Sequence, residues 1–346
     1  MRKNTHPSTV ETTERGSRWR VFLLAAAVVA QQHGASASLA ELGATSGRAE
    51  GNGRQAWFAV PRSVALDSSG NIYVADTWDQ TIQKITPGGL ISTLAGSGAM
   101  VGAADGHGSA ARFAMPRGVA VDTSGDVFVA DGFNEMIRTI MLNGEVSTLA
   151  GSASLVGTAN GIGSTPRLGF AYGMAGAWLS RWTRGLQQEA QFQHPYGLAV
   201  DGSGNVYVAD TYNHTIRLIN PRGAVSTLAG LASKAGSADG VGSVARFCYP
   251  SGVAVDTNGN VYIADTYNHT IRLLTPRGVV STLAGFAGKV GNGDGLGSAA
   301  RFYYPSGVAV DSSGNFYVAD SGNSAIRKIT PSGMVLPLLE LKRPDG

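Results

Sequence analysis

The chain has 346 residues, of which 48 are glycine and 43% are hydrophobic, and its formal net charge is +3. The apolar fraction excludes a collagen-like or disordered polymer, and so much glycine indicates a globular chain with many tight turns. The composition therefore favours β-structure with short connections.

Residues 1–37 predict a signal peptide. Arg15, Arg18 and Arg20 lie just before the apolar run Val21–Ala30, and Ala35-Ser36-Ala37 has the small-residue pattern of a cleavage site. The run has ten residues, whereas a membrane helix needs about 20. We therefore expect a secreted, extracytoplasmic or ER-lumenal protein with no membrane span in the mature chain. An uncleaved anchor is the alternative.

Charge gives no indication of a nucleic-acid partner. Removing the leader takes five Lys+Arg and two Asp+Glu with it, which leaves 22 of each. The mature chain is then formally neutral and has no basic patch, so neither RNA nor DNA is expected to bind.

Cys248 is the only cysteine, so the exported chain is expected to be held together by packing without an internal disulfide.

Residues 38–56 are either a linker or the remnant of a lost repeat. Without a gap, residues 35–41 (ASASLAE) align with residues 90–96 (LISTLAG), and residues 50–53 align with residues 105–108. Residues 90–96 are the end of the first complete repeat, and residues 105–108 lie in the connection that follows it. The alignment therefore indicates the tail of one more unit ahead of the first complete one.

The phrase "GVAVDxxGNVYVAD" recurs five times between residues 57 and 340. The first aspartates of the five copies are spaced by 55, 79, 55 and 55 residues, and they are Asp67, Asp122, Asp201, Asp256 and Asp311. Each unit carries four short β-patterned runs separated by tight-turn residues, as at residues 251–256, 260–264, 270–275 and 279–284. This pattern predicts a four-stranded antiparallel sheet. One such sheet cannot bury both faces, so we predict an all-β fold in which the sheets are the blades of a β-propeller.

The repeated residues resemble the NHL repeat family, in the Pro-x-Gly-hydrophobic strand and the "xVADxxNxxI" strand pair that most units carry. The resemblance implies a propeller, usually of six blades, that serves mostly as an interaction platform. Some relatives bind RNA, some are extracellular sensor domains, and one branch is a metal-dependent lyase. Five complete units are present here, so a five-bladed ring and an incomplete six-bladed ring both remain open. Residues 341–346 form a tail.

Strand polarity divides the connections between two faces. Those after the second and fourth strands open on one side, here named the loop face, and those after the first and third strands open on the other, the turn face. Long loops on a rigid scaffold often carry binding residues, so the loop face is the expected binding face. Aspartates and arginines recur there at one register, which we interpret as internal ties of each blade: Asp105, Asp239, Asp294, Arg112, Arg246 and Arg301.

His214 and His269 occupy one register of the loop face, where Glu135 stands in another unit. These three side chains are weak candidates for a metal site, because their spacing is that of the repeat and no ligand motif accompanies them. Zinc or calcium is the cofactor class such residues would hold, although we expect none. Tyr212 and Tyr267 precede the two histidines by two residues and are binding candidates with them.

The extra 24 residues of the long spacing, 165–188, form the most individual segment. Its aromatic and basic residues are types enriched in binding hot spots, and the candidates are Phe170, Tyr172, Trp178, Arg181 and Trp182. A lid or partner-contacting helix is one hypothesis. The alternatives are a helix packed onto the propeller and an artefact of the gene model.

The sequence thus favours a secreted or lumenal scaffold that binds a protein or small-molecule ligand through the loop face, and a non-enzyme. The alternative is a metal-dependent propeller lyase or hydrolase. That class needs convergent ligands or acid-base groups around the channel.

Overall fold

The computed structural model describes residues 51–52, 58–98, 100–153, 155–162 and 190–340. In this part of the chain, 25 strands form five antiparallel sheets of five strands each, and each sheet is one blade. The predicted all-β propeller of antiparallel blades is confirmed. No helix among the described residues combines the length and apolar character needed to cross a bilayer.

Corresponding strands have nearly the same length in all five blades. The first strands are β2 (Pro61–Leu66), β7 (Pro116–Val121), β12 (Pro195–Val200), β17 (Pro250–Val255) and β22 (Pro305–Val310). The second strands are β3 (Ile72–Asp76), β8 (Val127–Asp131), β13 (Val206–Asp210), β18 (Val261–Asp265) and β23 (Phe316–Asp320). The third strands are β4 (Thr81–Ile85), β9 (Met136–Ile140), β14 (Thr215–Ile219), β19 (Thr270–Leu274) and β24 (Ala325–Ile329). The fourth strands are β5 (Leu90–Gly96), β10 (Glu145–Gly151), β15 (Ala224–Gly230), β20 (Val279–Gly285) and β25 (Met334–Glu340).

Each blade has one more strand than the sequence predicted. These additional strands are two residues long: β1 (Gly51–Asn52), β6 (Gly106–His107), β11 (Gly161–Ile162), β16 (Gly240–Val241) and β21 (Gly295–Leu296). Each pairs with the fourth strand of its blade, as β16 does with β20. Two residues are too few to show an alternating pattern, so these strands could not be recognised before the structure was known. Strand β1 lies within the predicted linker or remnant and completes blade 1 by pairing with β5.

Short 3-10 helices occupy two kinds of loop-face connection. Three follow the two-residue strands, at Gly108–Ala110, Gly242–Val244 and Gly297–Ala299. Three others join second and third strands, at Thr211–Asn213, Thr266–Asn268 and Ser321–Asn323.

The first aspartate of the repeat fixes the turn between the first and second strands on the turn face. The Asp256 carboxylate accepts hydrogen bonds from the backbone N–H groups of Asn258 and Asn260 at 2.9 Å and from the Tyr262 hydroxyl at 3.0 Å. Gly259 occupies the left-handed region at φ 77°, which favours glycine. This local chemistry explains why "DxxGN" recurs in the sequence.

The hydrophobic core is divided among the junctions between blades. Second strands are buried along their whole length because both of their faces pack against neighbouring blades. Between blades 3 and 4, for example, Tyr207 and Ile216 pack with Phe247 and Ile263. The junctions between blades 1 and 2, 2 and 3, and 4 and 5 have clusters of the same composition. Among the described residues, the cluster around Phe58 draws on blade 1 alone.

First strands approach one another most closely, so they lie innermost. A Cβ atom added at Gly252 would stand 2.7 Å from the carbonyl oxygen of Ser306 and 2.8 Å from the Cα of Gly307 in the next blade. The glycine of the "Pro-x-Gly" strand is therefore required by the contact between blades.

Candidate ligand-binding face

Buried arginines tie the loop-face connections of blades 2 to 5 to their blades. In blade 4 the Arg272 guanidinium lies 2.7 Å from the Asp265 carboxylate and 2.6 Å from Asp239. Asp265 also accepts hydrogen bonds from Asn268 and the backbone N–H of Cys248. Burial raises the pKa of Asp265 to about 6, while Arg272 and these hydrogen bonds act in the opposite direction. The recurring loop aspartates are therefore structural, as expected.

Blades 2, 3 and 5 repeat this arrangement with small changes. Arg138 pairs with Asp105 and Asp131, and Arg327 pairs with Asp294 and Asp320. In blade 3, Arg217 pairs with Asp210 and donates a hydrogen bond to Asn160, which replaces the second aspartate. The loop arginines do not form these ion pairs and donate to backbone carbonyls of their own loops; they are Arg112, Arg246 and Arg301.

Blade 1 lacks this tie. Gln83 stands where the other blades have arginine, and Asp79 stands where most have asparagine. The buried Asp76 carboxylate accepts one hydrogen bond, from the backbone N–H of Ala59 at 3.0 Å, and its second oxygen has no hydrogen-bond partner among the described residues. Burial and the charge of Asp79 raise the pKa of Asp76 to about 7, and the hydrogen bond from Ala59 acts in the opposite direction.

The register of His214 and His269 joins consecutive blades. His214 Nδ1 accepts a hydrogen bond from the backbone N–H of Tyr249 at 3.1 Å, and His269 Nδ1 accepts one from Tyr304 at 3.2 Å. Both donors have a positive φ of 49° and precede the proline that begins the next first strand. Burial lowers the pKa of each histidine, which keeps the accepting nitrogen unprotonated.

Other side chains make the same junction bond elsewhere. Gln80 Oε1 accepts from Met115 at 2.6 Å, and Glu135 accepts from the backbone N–H of His194. Each of these residues serves a different junction, so the structure does not bring His214, His269 and Glu135 together. No group of three His, Cys, Asp or Glu side chains in the described ranges could hold a metal ion.

Aromatic side chains form a continuous row on the loop face, here named the aromatic arc. It runs from Phe133 through His194, Tyr212, Tyr249 and Tyr267 to Tyr304. Successive ring centroids are separated by 4.8, 4.6, 5.2, 4.9 and 5.1 Å, in tilted or edge-to-face contact. The arc crosses from blade 2 to blade 5, and it contains two of the candidates named from sequence, Tyr212 and Tyr267.

Alternate members of the arc face solvent. Phe133, Tyr212 and Tyr267 are 50%, 39% and 54% exposed, and Trp78 has the same register in blade 1 with 47% exposure. Monomeric proteins seldom leave large rings exposed side by side without a binding role. His194, Tyr249 and Tyr304 were missed in the sequence because they come just before the repeat phrase, where the residue type differs from blade to blade.

A cation lies at one end of the arc. The Arg117 guanidinium carbon is 4.1 Å from the centroid of the Tyr196 ring and 5.4 Å from that of Phe133. Arg117 and Tyr196 hold the position after the first-strand proline in blades 2 and 3, whereas blades 4 and 5 have Ser251 and Ser306 there. The innermost strands therefore present different chemistry in each blade at this level of the loop face.

The inserted segment 165–188 lies outside the described residues. Five of the candidates belong to it: Phe170, Tyr172, Trp178, Arg181 and Trp182. It joins β11 to β12, so it enters the connection between the fourth strand of blade 2 and the first strand of blade 3.

Five antiparallel blades with their first strands innermost define a β-propeller. NHL repeats match residues 58–85, 192–217, 247–272 and 302–329, and a teneurin NHL domain matches residues 100–165. The chain belongs to the NHL-repeat family. The family supports a general role as a binding scaffold.

Relatives share the repeats at modest identity. The chain is 30% identical over 296 residues to Protein SUPPRESSOR OF QUENCHING 1, chloroplastic, of Arabidopsis thaliana, covering 81% of this chain and 26% of that protein. It is 28% identical over 319 residues to NHL repeat-containing protein 2 of Gallus gallus, covering 88% of this chain and 43% of that protein. The chain thus spans less than half the length of these curated relatives.

Among solved structures, an auxiliary nutrient binding protein from Bacteroides thetaiotaomicron VPI-5482 superposes with a TM-score of 0.56 at 17% identity. The match covers 78% of this chain and 59% of that one. At this identity the likeness shows the propeller fold alone.

Proposed function

We propose that the protein is a secreted or lumenal β-propeller scaffold that binds a protein or small-molecule ligand on its loop face. The observation that carries this proposal is the aromatic arc, which presents exposed rings in three consecutive blades. Tyrosine and other aromatic residues are enriched in binding hot spots because they bury large areas with few rotatable bonds.

The rest of the loop face supports a binding role over a catalytic one. Apart from Asp76 of blade 1, the aspartates that end the second strands are held in ion pairs with buried arginines, and His214 and His269 are held in junction bonds. The rigid ties fix the arc in place, which reduces the entropy lost when a ligand binds. Export through the predicted leader accords with a protein that meets its ligand outside the cytoplasm.

Capture of partners by variants of the full chain tests the binding face. A triple variant carries Phe133→Ala, Tyr212→Ala and Tyr267→Ala, and it is compared with the wild type and with Leu142→Ala. Leu142 is 73% exposed in a turn between third and fourth strands, so it serves as a matched apolar control on the turn face.

The immobilised proteins are incubated with medium and extract of the producing cells, and retained molecules are quantified by mass spectrometry. We expect partners held by the wild type and the control to be lost from the triple variant. Equal retention by the triple variant would exclude the arc as the binding surface. Export is checked separately, by comparing the amount of full-length and leader-deleted chain in the medium.

A further inference from the structure

Arg117 is a half-buried arginine of blade 2 that does not follow the arginine–aspartate pattern. The fully buried arginines among the described residues of blades 2 to 5 each lie beside a buried carboxylate of their own blade, and they are Arg138, Arg217, Arg272 and Arg327. Arg117 instead lies between two aromatic faces at the junction of blades 2 and 3.

No anion of the described chain neutralises Arg117. Within the described residues, its guanidinium has no carboxylate at ion-pair distance and donates no hydrogen bond. Its Nε is buried without a partner among these residues. Burial lowers the pKa of Arg117, and only the nearby hydroxyl groups of Tyr196 and Tyr212 oppose that effect. Leaving a partly buried charge without a counter-charge carries a cost, and contact with aromatic faces compensates only part of that cost.

The carboxylate of the same junction is already engaged. Glu135 accepts the backbone N–H of His194, and its second oxygen lies 2.9 Å from His194 Nδ1. His194 Nδ1 also lies 3.1 Å from the carbonyl oxygen of Gly132. Glu135 therefore orients the imidazole ring within the arc and is not the counter-ion of Arg117.

We propose that Arg117 binds the anionic group of a small organic ligand, a carboxylate or similar oxyanion carried on a flat apolar body. The planar guanidinium matches such an oxyanion with two parallel N–H donors. The exposed faces of Phe133 and Tyr212 provide apolar surface beside it for the body of the ligand. A few placed polar groups within an aromatic lining are typical of small-molecule sites. The inference rests on the binding role proposed for the loop face.

Calorimetric titration of the full chain with three probes tests the inference. The probes are 3-phenylpropionate, the uncharged 3-phenylpropionamide and inorganic phosphate. Arg117→Met removes the charge and keeps most of the apolar stem against Tyr196, and Arg117→Lys keeps the charge without the planar fork. Arg277→Met, on an exposed turn-face residue, is the matched control.

We expect the wild type to bind 3-phenylpropionate at least tenfold more tightly than the amide or phosphate. Binding should weaken at least tenfold in Arg117→Met, less in Arg117→Lys, and not at all in Arg277→Met. Unchanged thermal midpoints show that the variants are folded. A variant that loses its midpoint is replaced by Arg117→Gln.

Three results would overturn the inference: no binding of 3-phenylpropionate, equal binding of acid and amide, or full binding by Arg117→Met. Phosphate binding as tight as that of the organic acid would overturn the ligand class. Failure of the proposed function itself has a different signature, because Tyr212→Ala and Phe133→Ala would then leave partner capture intact. If Arg117→Met binds 3-phenylpropionate normally while Tyr212→Ala does not, the result supports the loop face as the binding surface and excludes Arg117 as the anion site.

Discussion

Replacing Asp76 by asparagine should stabilise the propeller at neutral pH, because this carboxyl group is buried without the arginine that the other blades supply. Burial raises the pKa of Asp76 from 3.8 to about 7. Each pKa unit corresponds to about 1.36 kcal/mol, so ionising Asp76 in the folded state costs on the order of 4 kcal/mol. Asparagine keeps the acceptor for the backbone N–H of Ala59 and cannot ionise.

The sign of the pH dependence follows from linkage. The folded state holds the proton more tightly than the unfolded state, so this contribution to stability is fully present below about pH 3.8 and is lost as the pH rises to about 7. The gain from Asp76→Asn should therefore be near zero at pH 4 and should reach its full value by pH 8. Urea denaturation followed by intrinsic fluorescence at pH 4, 6 and 8 measures it.

Asp67→Asn in the same blade provides a control of opposite sign. Burial tends to raise the pKa of Asp67, but hydrogen bonds from Asn71, Ser69 and Tyr73 outweigh it and lower the pKa. The stability that the Asp67 carboxylate contributes is present above about pH 3.8 and is lost as the pH falls. Asp67→Asn should therefore destabilise the propeller at pH 8. A lower urea midpoint for Asp76→Asn at pH 8, or a gain that does not change with pH, would refute the account of Asp76.

Three further substitutions test the packing between and within blades. Arg272→Met should lower the free energy of unfolding by about 3–5 kcal/mol in urea titration, because it leaves the buried Asp265 carboxylate without its cation; an effect below about 1 kcal/mol would contradict a buried pair. Gly252→Val should lower the thermal midpoint, because its Cβ would overlap the Ser306 backbone, and a neutral result would count against this placement. His214→Leu should cost about 1 kcal/mol by removing the junction hydrogen bond, whereas His214→Gln should cost less in calorimetry; equal losses would show that packing and not the bond matters.

Much of the fold could be predicted because the repeat presents each pattern five times. The runs 251–256, 260–264, 270–275 and 279–284 predicted from sequence correspond to β17, β18, β19 and β20 within one residue at each end. Local turn chemistry and alternating apolar residues determine these elements. The two-residue strands could not be predicted, because their pairing depends on a fourth strand about 40 residues away in the chain.

The candidate site was predicted only in part, since its geometry comes from residues of different units. The shared register of His214 and His269 suggested convergence, yet each ring turns into its own junction to meet a backbone N–H group of the next blade. The pairing of Arg117 with Tyr196 joins residues 79 positions apart at sites where the repeats differ. Comparing the repeats for the residues they share does not identify such positions.

The two-residue strands also affect what happens to the protein when a protease cuts the chain. Each comes from the connection that follows the preceding blade, so β16 covers part of the outer edge of blade 4 while linking it to blade 3. A protease cut between β15 and β16 would sever the link and loosen this cover in one event. Strand edges exposed in this way template pairing with other chains. Nicked protein should therefore aggregate, and the pieces should not persist as smaller soluble arrays.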